Sequence, residues 1–343
     1  MRILLYIIAI ILDIITKIRN LFFDWNIFPS IGFKTPIICI GNLSVGGTGK
    51  TPLTDYIIHL LKKEYKVAVL SRGYGRKKQD FRYVSYNSKV TEVGDEPLML
   101  KKKHPNIIIA VDSNKKRGIK KIIQDNNISV ILLDDGLQHR WIKAGMNILL
   151  TKYELPFYND YLYPFGKLRE NKNGAKRSDI IIITKCPNTI NPTTKKGMIE
   201  KLNINCHQKV YLSKIEYEDR TGLKRINNSI QKYSIILVTG IEDATPLINY
   251  LNQENYKINH LKYSDHHNYT EKDCQNILDI YHEESNINKI ILTTDKDKVK
   301  LEEFNAIFEP VKIHHISIKT NIEMESEFKK QIIDYVRKNT SNN

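Results

Sequence analysis

Apolar positions along this chain gather into short unbroken runs set between longer stretches of helical periodicity. Beyond residue 36 the runs fall at 37–40, 67–70, 107–111, 130–133, 148–150 and 180–184. Runs that are apolar throughout, instead of alternating, predict strands covered on both faces, as in a parallel sheet. Helix-like stretches at 53–63, 97–103 and 115–126 separate several of them, so the order predicts a doubly wound α/β domain. A second cycle begins near Ser234, with strand-like runs at 235–239, 289–293 and 313–318 and helix-like stretches at 245–253, 270–284 and 324–337. Between the cycles, residues 219–232 are polar and poor in apolar side chains, which predicts a boundary there. The expected organisation is an N-terminal helix over 1–28, a core over 29–225 and a smaller C-terminal α/β lobe over 226–343, whose last helix can fold back onto the core.

The N-terminus follows a different pattern. Residues 3–12 are ten apolar residues in a row, about 15 Å of helix against a hydrocarbon layer of roughly 30 Å, too short to span it. Asp13, Lys17, Asn20 and Asp24 then recur at steps of four, three and four, which puts them on one helical face, while Ile14, Ile15, Ile18, Leu21, Phe22 and Trp25 fill much of the rest. The pattern predicts an amphipathic helix lying in a membrane interface. A helix docked on the protein itself is the competing reading, and a cleaved signal is disfavoured because no A-x-A-like site follows.

Composition narrows the partners. Lys and Arg number 53 against 38 Asp and Glu, a formal net charge of +15. Such an excess suits an anionic membrane surface, a polyanionic substrate or nucleic acid. No nucleic-acid reading module stands out, so no nucleic-acid partner is expected. Cys39, Cys186, Cys206 and Cys274 are scattered, without a CxxC pair or zinc-finger spacing, which predicts reduced thiols and no structural metal.

Candidate chemistry starts at residues 41–54, GNLSVGGTGKTPLT, between the first strand-like run and the first helix-like stretch. Glycines there let backbone N–H groups curl around phosphate oxygens at a helix N-terminus. In the pattern G-x-x-x-x-G-K-[ST] the cradle is Ser44, Val45, Gly46, Gly47, Thr48, Gly49, Lys50 and Thr51, with Ser44 where the first glycine is usual. Lys50 would reach the β- and γ-phosphates of a nucleoside triphosphate, and the Thr51 hydroxyl would hold Mg²⁺. Asp134 and Asp135, at the end of the run 130–133, supply the acidic strand end that orients Mg²⁺. Arg72 and Arg76 among glycines can contact phosphate and Tyr74 can lie on a base or sugar, or the segment is an ordinary loop with solvated arginines. Asp95 and Glu96 can cap the helix that Pro97 opens, or a buried carboxylate there can deprotonate an attacking hydroxyl. Asp265 beside His266 and His267 suggests a proton-handling pair, against solvated loop histidines. The strand-end segment Thr184-Lys185-Cys186-Pro187 lacks the acid of a guanine-selecting N-K-x-D segment.

Taken together, GNLSVGGTGKTP (41–52), SRGYGR (71–76), GDEP (94–97), DDGLQH (134–139), GKLRE (166–170), DHH (265–267) and TTDKDKVKL (293–301) resemble the lipid A 4′-kinase family. The resemblance implies a P-loop kinase that moves the ATP γ-phosphate to the 4′-hydroxyl of an acylated glucosamine disaccharide 1-phosphate. It places the enzyme at the cytoplasmic face of the bacterial inner membrane, held to that anionic surface through the N-terminal helix. By the same resemblance Asp95 and His266 form the catalytic pair, Asp134, Asp135 and Glu170 serve the Mg²⁺ environment, and Ser44 is the family's own residue. Three letters depart from the family pattern: Leu137 for Phe, Asn171 for Pro, and Asp295 for Glu.

Overall fold

The computed structural model describes residues 2–218 and 233–340. Its first half is the expected parallel sheet: β1 (Ile37–Asn42), β2 (Val67–Ser71), β4 (Ile108–Val111), β5 (Val130–Asp134), β6 (Met146–Lys152) and β7 (Ile180–Thr184), with the two-residue β3 (Arg82–Tyr83) antiparallel at the edge. In β1, β2, β5 and β7 every residue is buried, because helices cover both faces. Alternation sorts the side chains. Ile38 and Ile40 join Val69 and Leu132 under α2 (Lys50–Leu61), whereas Ile37 and Cys39 join Leu70 and Leu133 under the helix Lys115–Asp125.

The second half contributes β9 (Ser234–Thr239), β10 (Lys257–Lys262) and β11 (Lys289–Thr294), all parallel. Two strands join the halves. β12 (Ile313–Ile322) runs parallel to β11 at its start and antiparallel to β8 (Lys209–Glu218) along its far end, and β8 lies parallel to β7. The described strands therefore form one sheet in the order β10-β9-β11-β12-β8-β7-β6-β1-β5-β2-β4-β3. The runs at 209–218 and 257–262 escaped the hydropathy pattern because their burial is broken by exposed positions, unlike the fully buried strands. The boundary expected at 219–232 lies outside the described residues.

The closing helix, Glu325–Thr340, packs on the first half. It places Phe328, Ile332 and Val336 in the cluster that holds Leu53 and Ile57 of α2. The Tyr335 hydroxyl donates to Ile37 O at 3.0 Å and accepts from Ile37 N–H at 3.2 Å.

The N-terminal helix is α1 (Arg2–Asp24), and Asp13, Lys17, Asn20 and Asp24 lie along one face of it. That face turns to the protein: Asn20 Nδ2 donates to Glu170 at 3.2 Å, Asn171 Nδ2 to Asp13 at 3.2 Å, and Arg140 reaches both Asn20 O and Asp24. Only Ala9 and Phe23 of α1 are buried, the latter against Phe28 and Trp141, while Ile3, Leu4, Ile7, Ile11, Ile14, Ile15 and Ile18 are exposed. Among the described residues no helix is long and apolar enough to cross a membrane.

Candidate active site

Every parallel strand ends at the same edge of its half, so the loops leaving β1, β2, β5, β9, β10 and β11 gather the candidate chemistry where an α/β sheet binds ligands. The cradle follows β1. Gly46 and Gly49 adopt positive φ, 101° and 89°, which L side chains rarely do. Asn42 Nδ2 holds Thr48 Oγ1 at 2.8 Å from below, and Thr184 Oγ1 donates to Thr48 O at 2.8 Å. Val45 N–H bonds Lys167 O at 2.7 Å, so the segment 166–170 forms a rim. Gly41 is required by a close approach: a Cβ there would lie 2.7 Å from Leu137 Cβ. Leu137 itself is buried beside Leu43 and Phe157, so its departure from the family letter is a packing change.

Lys50, the first residue of α2, sets its ammonium 3.6 Å from Asp135, which also receives both of its bonds from Arg169, at 2.8 and 2.9 Å. Burial pushes the Asp135 carboxyl up, but Lys50 and Arg169 together hold it below the usual carboxylate range. Asp134 is different. One oxygen accepts from Ser71 Oγ at 3.2 Å, and the other, Oδ1, is buried with no partner. Burial raises its pKa, and burial followed by the Asp134 charge pushes Glu96 up to about 7. Two crowded carboxyls and an orphaned oxygen beside the cradle fit a small divalent cation. Among the described residues no three His, Cys, Asp or Glu make a self-sufficient cage; Mg²⁺ does not need one, since it commonly takes one or two carboxylates and completes its octahedron with water and substrate phosphate.

Asp95 and His266 meet across the two halves of the sheet. Asp95 is buried at the start of the helix Asp95–Lys103, and His266 follows β10 in a left-handed conformation with φ 57°. His266 Nδ1 lies 2.9 Å from Asp95 Oδ2 and 3.1 Å from Oδ1. Lys296 Nζ sits 3.0 Å from His266 Nε2 and 3.8 Å from Asp95, and Lys300 Nζ 3.9 Å from Asp95. An ammonium has only donors, so Nε2 accepts and the ring proton sits on Nδ1, donated to Asp95. Burial pushes the Asp95 carboxyl up; the His266 bond, then Lys296, outweigh it and keep Asp95 below its ordinary value. The Tyr74 ring stands 4.7 Å from the His266 ring.

Two candidates are engaged within the protein itself. Glu170 is fully buried and saturated: Arg177 gives it bonds at 2.7 and 2.8 Å, Gln138 one at 3.0 Å and Asn20 one at 3.2 Å, leaving no lone pair aimed at the cradle for Mg²⁺. Arg76 is buried and donates to the carbonyls of Arg72 and Asp80, so it braces its loop. Arg72 and Tyr74 are exposed at the cleft, as a substrate contact requires. Sequence reasoning read Glu96 as a helix cap or a carboxylate for the hydroxyl, not as a neighbour of Asp134, and gave Lys296 and Lys300 no role; the lysines' spacing of four on a helix, facing one side, was the available signal. Lys115, whose buried ammonium donates to Leu70 O and Asp134 O, carried no signal at all.

The family profile described as Tetraacyldisaccharide-1-P 4'-kinase matches residues 1–337. A tetraacyldisaccharide 4'-kinase of Flavobacterium psychrophilum is 43% identical, covering 97% of this chain and 96% of that one. The Bacteroides thetaiotaomicron enzyme of the same name is 38% identical over 98% of this chain and 94% of its own length. The crystal structure of LpxK from Aquifex aeolicus in complex with ATP superposes with a TM-score of 0.75 at 25% identity, covering 98% of this chain and 99% of that one. This chain therefore belongs to the tetraacyldisaccharide-1-P 4'-kinase family.

Proposed function

We propose that the protein transfers the γ-phosphate of ATP to the 4′-hydroxyl of a tetraacylated glucosamine disaccharide 1-phosphate at the cytoplasmic face of the inner membrane. The observation that carries this reading is the Asp95–His266 contact of 2.9 Å, which pairs a buried carboxylate with an imidazole at the edge of the sheet where the phosphate cradle opens. Phosphoryl transfer asks the protein mainly to hold donor and acceptor in line and to balance charge. Gly46 to Thr51 bind the donor, with Lys50 on its terminal phosphates. Asp95, kept ionised by His266 and Lys296, accepts the proton of the 4′-hydroxyl as the new O–P bond forms and the bond from the γ-phosphorus to the β-phosphate oxygen breaks to release ADP, and His266 holds the carboxylate in register. Lys296 is placed to offset negative charge near the pair. Mg²⁺ would be held by Thr51 and Asp134, with Asp135 and Glu96 shaping its surroundings, and would supply charge neutralisation at the phosphates. Arg72 and Tyr74 face the acceptor.

Membrane attachment follows from α1. Its exposed isoleucines and leucines would enter the interface, while its polar face stays on the protein. The test is transfer of labelled phosphate from ATP to tetraacyldisaccharide 1-phosphate in detergent. The parent enzyme should turn over, Asp95→Asn should lose about 10²- to 10⁴-fold in kcat with little change in ATP affinity, and Lys50→Ala should lose ATP binding as well. Absence of transfer by the parent overturns the substrate assignment, and undiminished turnover of Asp95→Asn overturns the role of Asp95.

A further inference from the structure

The phosphate cradle already holds an anion, and it comes from the protein's other half. Glu242 lies in the short connection between β9 and the helix Thr245–Gln253. Its Oε2 accepts from the backbone N–H of Gly47 and from Lys152 Nζ, the latter at 3.0 Å. Its Oε1 stands 3.8 Å from Lys167 Nζ. A Cβ added at Gly46 or Gly47 would strike this carboxylate, so only glycine lets the group come so near the loop. One backbone N–H and two ammonium groups are the donors that bind a phosphate oxygen at such a loop. Burial pushes the Glu242 carboxyl up, but Lys152, the Gly47 amide and Lys167 hold it below its ordinary value, so it is a full anion at neutral pH. Nothing else in the sequence or in the proposed reaction gives Glu242 a part.

We propose that Glu242 is a resident anion occupying the phosphate cradle of the nucleotide-free enzyme, and that ATP binds by displacing it and taking over Gly47 N–H, Lys152 and Lys167 for its β- and γ-phosphates. The proposal rests on ATP being the donor, as read above, and adds two phosphate-binding lysines to the site. The carboxylate keeps three like-charged or dipolar donors together while no nucleotide is present. It also ties the second half of the sheet to the loop of the first, so nucleotide entry and release of that tie are one event. The same connection carries Gly240, whose carbonyl accepts from His266 N–H at 3.2 Å and whose N–H donates to Asp297 at 2.9 Å. A competitor engaged in about 90% of molecules weakens apparent ATP affinity about tenfold.

The experiment measures ATP, ADP and AMP binding to the full chain by calorimetry, without acceptor. Glu242→Gln should bind ATP and ADP about three- to tenfold more tightly, with AMP, which brings no β- or γ-phosphate to this spot, unmoved. Glu242→Asp, with the carboxylate one methylene shorter, should fall between. Lys152→Met should weaken ATP binding, because the lysine passes from Glu242 to the phosphates. ATP binding unchanged or weakened in Glu242→Gln overturns the proposal, and ATP binding tightened in Lys152→Met overturns the transfer of that lysine. Circular dichroism and melting of each variant separate these results from misfolding. A parent that binds no ATP would overturn the kinase reading and this proposal with it. A parent that binds ATP and fails only to phosphorylate the disaccharide would overturn the acceptor and leave Glu242 standing.

Discussion

At the scale of single residues, the site is governed by which charges are shared and which are stranded. Asp135 and Glu170 are both acids of the predicted Mg²⁺ set, yet Arg169 and Lys50 engage the first and Arg177 saturates the second, while Asp134 keeps a buried oxygen without a partner. No spacing rule distinguishes these three carboxylates. Their difference lies in arginines and in turns that meet them only after folding. His139 shows the same dependence. Burial, then the neighbouring Lys115 ammonium, pushes its imidazole down to about 4 from 6.5. The unfolded chain takes up that proton below 6.5 while the folded chain resists until about 4, so stability falls as pH drops through this window. Denaturant melts between pH 7 and 4 should show that slope in the parent and a shallower one in His139→Gln; parallel slopes would remove His139 as its source.

At the scale of elements, the closing helix Glu325–Thr340 matters more to the cradle than its distance in sequence suggests. Phe328 is fully buried, with its ring 5.2 Å from Tyr211 and 6.0 Å from Tyr56 of α2. α2 begins with Lys50 and Thr51, so this contact supports the element that carries the phosphate loop. Phe328→Ala should cost about 3–5 kcal/mol of stability, read by urea unfolding at neutral pH, with transition slope unchanged. A loss below about 1 kcal/mol would mean the helix is dispensable to the core. The hydropathy pattern found this helix, placing it at 324–337, because its apolar positions have helical spacing. It also found the strands whose residues are buried throughout. It did not find β10, where only Ile258, His260 and Leu261 are partly covered and no residue is buried, because an edge strand leaves too little apolar surface to mark it.

At the scale of the whole molecule, a relay of polar contacts links the N-terminal helix to the candidate active site. Asn20 of α1 bonds Glu170; Glu170 bonds Gln138; Gln138 donates to Asn42 O at 2.8 Å, at the start of the phosphate loop. The helix is therefore anchored to the catalytic edge by its polar residues, and its apolar residues face outward. Ile7 and Ile11 are about half exposed, at 48% and 51%. Replacing both by Glu should leave ATP affinity and the melting temperature close to the parent and reduce binding to anionic lipid vesicles by tenfold or more, since each isoleucine entering the interface contributes about 1–3 kcal/mol. Equal vesicle binding by parent and variant would show that α1 is not the attachment.

Much of this protein was legible before folding. Unbroken apolar runs dictated a parallel sheet, because a strand buried on both faces cannot tolerate polar residues, and glycines between a strand and a helix predicted a phosphate loop, because backbone amides must come close to an anion. The spacing of Asp13, Lys17, Asn20 and Asp24 likewise dictated one polar face on α1. Tertiary structure alone decided where that face points and that β8 and β12 weld the two cycles into one sheet, while the meeting of Asp95 with His266, which only the family resemblance implied, left no mark in periodicity. It alone set Glu242 on the phosphate loop, 195 residues beyond Gly47. Periodicity reports how each segment meets its own surroundings; charges brought together from distant segments leave no period, and the site is made of such meetings.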